Sequence, residues 1–145
     1  MTSNSDIRES IVALSRSYVG VPWKSMGRTR TGIDCVGLVI AVGAEMGLHD
    51  YPDDVAYTRQ SSGQDLLQPF LNHAIRVPRL RDLQQGDILV MKDAFYPHHV
   101  GFLALRGRQQ SFIHSSVHQG KVVEDVLTDE VRRLVITGFK FKALA

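Results

Sequence analysis

The segment that most restricts the fold is CVGLVIAVGA, Cys35 to Ala44, the longest uninterrupted stretch of apolar residues and glycine in the chain. It falls far short of the ~20 residues that span a bilayer, so it is expected inside the protein rather than in a membrane. Asp34 stands before it as an N-cap and Gly47 follows in a C-cap position. The stretch therefore reads as a buried helix with Cys35 in its first turn.

The flanking patterns divide the chain in two. Asp6 followed by Glu9 marks a helix start, and Ile7, Ile11, Leu14 and Tyr18 recur on one face of a helix over residues 6–18. Gly20, Pro22, Gly27 and Gly32, interspersed with Lys24, Arg28 and Arg30, make residues 20–33 a loop, and loops of this length are usually functional. Residues 49–61 are rich in Asp, Tyr, Pro and Ser. Leu66, Leu67, Phe70, Leu71, Ala74 and Ile75 then give a short helical pattern despite Pro69. From Gly86 onward the runs GDILVM, HVGFLAL, QSFIHS, KVVEDVL and VITGFKF, separated by polar or glycine turns, read as an antiparallel meander. TDEVRRLV, Thr128 to Val135, reads as one helical turn before the last strand. Helices first and strands second is the signature of an α+β domain, and 145 residues leave no room for a second one.

Charge and cysteine usage exclude several classes. Seventeen Lys and Arg against fifteen Asp and Glu give a net charge of +2 with no basic stripe, which argues against nucleic acid or an anionic membrane as partner. One cysteine makes neither an internal disulfide nor a zinc ribbon. His114 and His118 are four apart, but the surrounding pattern is strand and turn without an accompanying HExxH or cysteine pair, so neither a metal nor another cofactor is expected. The first twenty residues lack the basic start and apolar run of a signal peptide, and a protein made in the cytoplasm is expected.

The lone thiol is then either core filler or chemistry. Free cysteine is often simply buried. At the first turn of a helix, however, a thiol meets the positive end of the dipole and unpaired N–H groups, which favour the thiolate. A nucleophile needs a base and a group that orients the base. His98 and His99 open one expected strand and His114 lies in the next, so antiparallel pairing through the Arg106–Gln110 turn can bring the two strands' histidines together. Strand periodicity alone does not choose between His98 and His99.

The motifs YVGVPW, GIDCVGLV, GDILV, HHVGF and FIHSS, in this order, resemble the NlpC-type papain-like cell-wall cysteine peptidases over most of the chain. The resemblance implies a papain-like core with N-terminal helices, the nucleophile at a helix N-terminus, packed on a five- to six-stranded antiparallel sheet. It implies Cys35 as nucleophile, His99, which directly precedes Val100 and Gly101, as base, and His114 as orienter. Within the family the chain is most similar to the branch associated with phage tails and gene-transfer particles, with an extra segment at 49–80 and the closing GFKF. It departs from the usual motif in carrying Trp23 where a tyrosine is common and Val36 where a serine is common. Amide hydrolysis through an acyl-enzyme would follow, with the Cys35 backbone N–H and Trp23 at the oxyanion and Asp34 beside them. The implied substrates are peptidoglycan stem peptides, whose carboxylates Lys24, Arg28 and Arg30 could bind. The implied location is a virion or tail acting at the cell wall, with tail proteins as partners. Two alternatives stay open: a structural tail protein with lost or incidental activity, and a papain-like acyltransferase or amidase acting on another substrate.

Overall fold

A computed structural model describes residues 2–51, 64–93 and 98–145. Of the polar stretch at 49–61, residues 52–61 lie outside the described residues.

Helix α1 spans Asn4–Arg16. Its N-cap is Ser3, whose side chain accepts from the Asp6 N–H, so the helix starts two residues before the Asp6 boundary expected from sequence. It also ends earlier. Tyr18 lies in the turn beyond it and is still buried. The loop after α1 contains a two-stranded hairpin, β1 (Arg28–Thr29) and β2 (Gly32–Ile33), that the glycine-rich pattern concealed.

Helix α2 is Cys35–Glu45, with Asp34 as its N-cap. Gly47 adopts φ +67°, a left-handed conformation that costs glycine little, and lets the Leu48 N–H return to the Gly43 carbonyl. The helix is buried on nearly every side, and Leu38, Val39, Ile40 and Val42 are fully enclosed. Each such side chain contributes roughly 1.5–3 kcal/mol relative to exposure, which makes α2 the central support of the fold.

Helix α3 is Gln64–Leu71. Ala74 and Ile75, expected to continue it, instead begin strand β3 (Ala74–Val77). Their spacing from Phe70 and Leu71 mimics a helical turn, but a turn at 72–73 separates them and they pair with Phe141 and Lys140. The remaining elements are β4 (Ile88–Met91), β5 (His99–Arg106), β6 (Gln109–Ser116), β7 (Lys121–Val126), α4 (Asp129–Arg132) and β8 (Val135–Phe141).

The six strands lie in the order β3-β8-β4-β5-β6-β7 with antiparallel pairing. Only β4 to β7 form the expected meander. After α4 the chain crosses back and inserts β8 between β3 and β4, where Phe139 and Phe141 join the main core. That core fills one face of the sheet, under α1, α2 and α3. A smaller cluster of Leu89, Met91, Leu103, Phe112 and Leu127 occupies the other face, packed against Leu83, Val131 and Val135.

Candidate active site

Asp34 builds the entrance to α2. One carboxylate oxygen accepts from the Gly37 N–H at 2.7 Å and the other from the Met26 N–H at 2.9 Å. The carboxylate thus caps the helix and ties it to the preceding loop. Burial pushes its pKa up, while those two N–H groups and the nearby Arg28 pull it down. Each oxygen thus holds one backbone N–H, and Asp34 positions the helix. The same loop is stitched to β7 by Gly20 N–H to Val122 O, to the turn before β7 by Trp23 N–H to Gly120 O, and to β6 by the Ser115 hydroxyl donating to Ile33 O at 2.7 Å. These links hold residues 20–35 against the sheet.

Cys35 therefore arrives at a defined point of β5. The β5–β6 register ends at the pair Phe102 and Ile113, and beyond it the Val100 N–H donates to the Cys35 sulfur. The thiol meets the sheet where the two strands part, one residue from His99. His98 lies outside the strand and is exposed, whereas His99 is buried. The burial difference separates two histidines that periodicity left equivalent.

His99 and His114 stand together on the face of the smaller cluster. Nε2 of His99 lies 2.6 Å from Nδ1 of His114, and the rings meet edge to face. Phe112 packs against both, stacked on His114 with centroids 4.4 Å apart and edge-on to His99. Gly101 makes this possible. A Cβ there would collide with the Ile113 carbonyl and come within 2.8 Å of the His114 Cβ, so any larger residue would force His114 away from β5. The other ring nitrogen of His99, Nδ1, is buried and has no hydrogen-bond partner among the described residues. A buried polar atom left unpaired costs roughly 1–3 kcal/mol and calls for a reason.

The electrostatics differ from the expectation of a resting thiolate. Burial pushes the Cys35 thiol up to about 12, and the Asp34 charge adds to this; the Val100 and Val36 N–H groups offset only part of it. Burial likewise pushes His99 down to about 3, with His114 contributing in the same direction. Helix position alone favours the anion, but a site this enclosed favours the neutral thiol and neutral imidazole.

The remaining candidates separate. Trp23 is half-buried and its indole Nε1–H is a buried donor without an acceptor among the described residues. Lys24 is exposed, with its stem against Gly32. Arg28 sits near Asp34. Arg30 is drawn away, donating to the Ser17 carbonyl and hydroxyl and lying 4.1 Å over the Tyr18 ring. Val36 points into the core. His118, on the β6–β7 turn, pairs with Asp93 at 3.4 Å rather than with His114.

The sequence reading missed Asp125. Its Oδ2 lies 2.8 Å from Nε2 of His114 and accepts from the Gln119 side-chain amide at 3.0 Å. It looks like any polar residue in an alternating strand; the cue was the pairing of KVVEDVL with FIHSS, which places it diagonal to His114. A pocket of about 200 Å³ opens beside this group, lined by His99, His114 and Asp125 together with Met91, Asp93 and Phe112.

Comparison with known structures agrees with this architecture. The chain superposes on the NlpC/p60 domain of the peptidoglycan hydrolase SagA with a TM-score of 0.65 and 20% identity, covering 92% of this chain and 98% of that one. It also matches NlpC2 from Trichomonas vaginalis (TM-score 0.65, 19% identity, 97% of this chain and 48% of that one) and an NlpC/P60 family protein from Bacillus cereus ATCC 10987 (TM-score 0.67, 19% identity, 97% and 43%). The chain thus spans less than half the length of the latter two. At these identities the likeness establishes the papain-like fold. A comparison with curated proteins finds no match. The sequence profile of the NlpC/P60 family matches residues 20–138, from the loop before the cysteine to the last strand, and the chain belongs to the NlpC/P60 family.

Proposed function

We propose that this chain is a cysteine peptidase that cleaves amide bonds in peptidoglycan stem peptides. The observation that carries the reading is the His99–His114 pair, with its buried and unpaired His99 Nδ1, set where the Cys35 sulfur meets β5. Family membership and the likeness to a peptidoglycan hydrolase domain support the substrate class.

The enclosed, neutral pair implies a concerted start. As the Cys35 sulfur attacks the amide carbonyl, its proton passes to Nδ1 of His99, and His114 holds the resulting imidazolium through Nε2. The Cys35 backbone N–H and the unpaired Trp23 indole N–H are the oxyanion donors. His99 then gives the proton to the leaving amine. It next takes one from water as the thioester is hydrolysed. Lys24, and Arg28 beside Asp34, would bind stem-peptide carboxylates, whereas Arg30 is engaged with Ser17 and Tyr18. Delivery to the wall in a phage-like tail, with tail proteins as partners, rests on the resemblance of the 49–80 segment and GFKF to that branch.

The test is mass spectrometry of fragments released from purified peptidoglycan and isolated stem peptides by the wild type and by Cys35→Ala. Cleavage by the wild type, with a loss of at least about 10³-fold in the variant, is expected. Equal cleavage by both would remove Cys35 as nucleophile, and cleavage by neither would remove the peptidase reading.

A further inference from the structure

Three side chains in a row leave little freedom for protons. The Asp125 carboxylate only accepts hydrogen bonds. His114 presents Nε2 to Asp125 at 2.8 Å and Nδ1 to Nε2 of His99 at 2.6 Å. A neutral imidazole carries one proton, so in His114 that proton belongs on Nε2, where an acceptor waits, and Nδ1 is left as an acceptor. His99 must then carry its own proton on Nε2. Its Nδ1 is left bare, and this is the buried ring nitrogen that has no partner among the described residues.

From this geometry we propose that Asp125 is a positioning residue that sets the tautomers of both histidines and so leaves Nδ1 of His99 as the basic nitrogen of the site. The proposal rests on the reading of Cys35 as nucleophile and His99 as its base. The carboxylate is well placed for the task. Its side chain is 44% exposed, opening the buried pair to solvent, and the Gln119 amide fixes the same Oδ2 that meets His114. Without an acceptor at this point, His114 is free to carry its proton on Nδ1 and present a donor to His99. His99 would then have to answer with a bare Nε2 and a protonated Nδ1, which cannot take a proton from a thiol. The other charged groups around the pair are Asp93 and His118, which act on His114 in opposite directions, and Lys92 beside the same pocket.

The deciding experiment is nitrogen-15 NMR of the imidazoles at pH 7.5 in the wild type, Asp125→Ala and Asp125→Asn, with the backbone amide spectrum as a check on folding. In the wild type both rings should show a protonated Nε2 and a bare Nδ1. Asp125→Ala should redistribute the His114 proton between its nitrogens, while Asp125→Asn, whose amide oxygen Gln119 can hold in the same place, should keep the wild-type pattern. On a cleaved stem peptide, Asp125→Ala should lower kcat about 10–100-fold, as outer partners of a working histidine do, with KM within about twofold and partial recovery in Asp125→Asn. A protonated Nδ1 on His114 in the wild type, or unchanged tautomers or kcat in Asp125→Ala, would overturn the proposal. The tautomer readout needs no substrate, so a wild type that fails to cleave peptidoglycan sinks the proposed function and leaves this question decided on its own.

Discussion

The sheet face under α1 and α2 and the face under α4 bury different kinds of group. The first is filled by Leu38, Ile40, Phe102, Ile113 and Phe141, and charge near it is compensated: Arg8 pairs with Asp87 at 2.6 Å, and the Glu124 carboxylate meets Arg16 at 2.9 Å and the Ser111 hydroxyl at 2.6 Å. The second has fewer apolar side chains and buries two imidazoles, one with an unpaired nitrogen, beside an open pocket. Interiors packed to crystal density resist change, whereas a group that must gain and lose a proton needs a neighbouring space and a partner it can exchange with. Under the proposed function, stability and chemistry are segregated by face, and the thiol bridges them by entering where β5 and β6 part.

That division can be tested at both ends. Leu38→Ala, in the sealed face, should cost about 3–5 kcal/mol in chemical denaturation, since the deletion leaves a cavity that α2 cannot collapse into. A cost below about 1.5 kcal/mol would show that this face is not the main support.

Acid should act through the other face. Burial holds His99 at about 3, below its ordinary 6.5, so the folded state binds that proton less well than the unfolded chain. Its contribution to stability is fully present above pH 6.5 and is lost as pH falls toward 3, amounting to about 2–3 kcal/mol by pH 4.5. A His99→Gln variant should lose that much less than the wild type between pH 7 and 4.5; parallel curves for the two proteins would mean that the ring is not buried in its neutral form. The smallest effect is expected at Arg30, which belongs to neither face. Arg30→Ala should change stability by less than about 1 kcal/mol and KM by less than about twofold, and a large rise in KM would return Arg30 to the substrate space.

Much of this site could be read from the chain before folding, and the limits are instructive. Cys35 was legible because its cap, its helix and its apolar run are consecutive residues. His99 and His114 were legible because a single hairpin joins them. Ala74 and Ile75 were misread because a helical period continued by chance across a turn, and only pairing with β8 shows them as strand. Asp125 was invisible because a half-exposed aspartate in an alternating strand carries no local mark of its partner. Arg30 was legible as a cation in a functional loop, but its direction depends on Ser17 and Tyr18, which α1 brings to it.

By itself, then, the sequence determined the buried helix with a thiol at its head, the strand-rich second half and the order of the motifs, because each depends on residues close together in the chain. Tertiary structure alone decided that β8 lies inside the sheet, that burial pushes the Cys35 thiol up despite its helix, and that Asp125 meets His114. Those outcomes depend on desolvation and on partners delivered from distant segments, and neither quantity exists until the chain has packed.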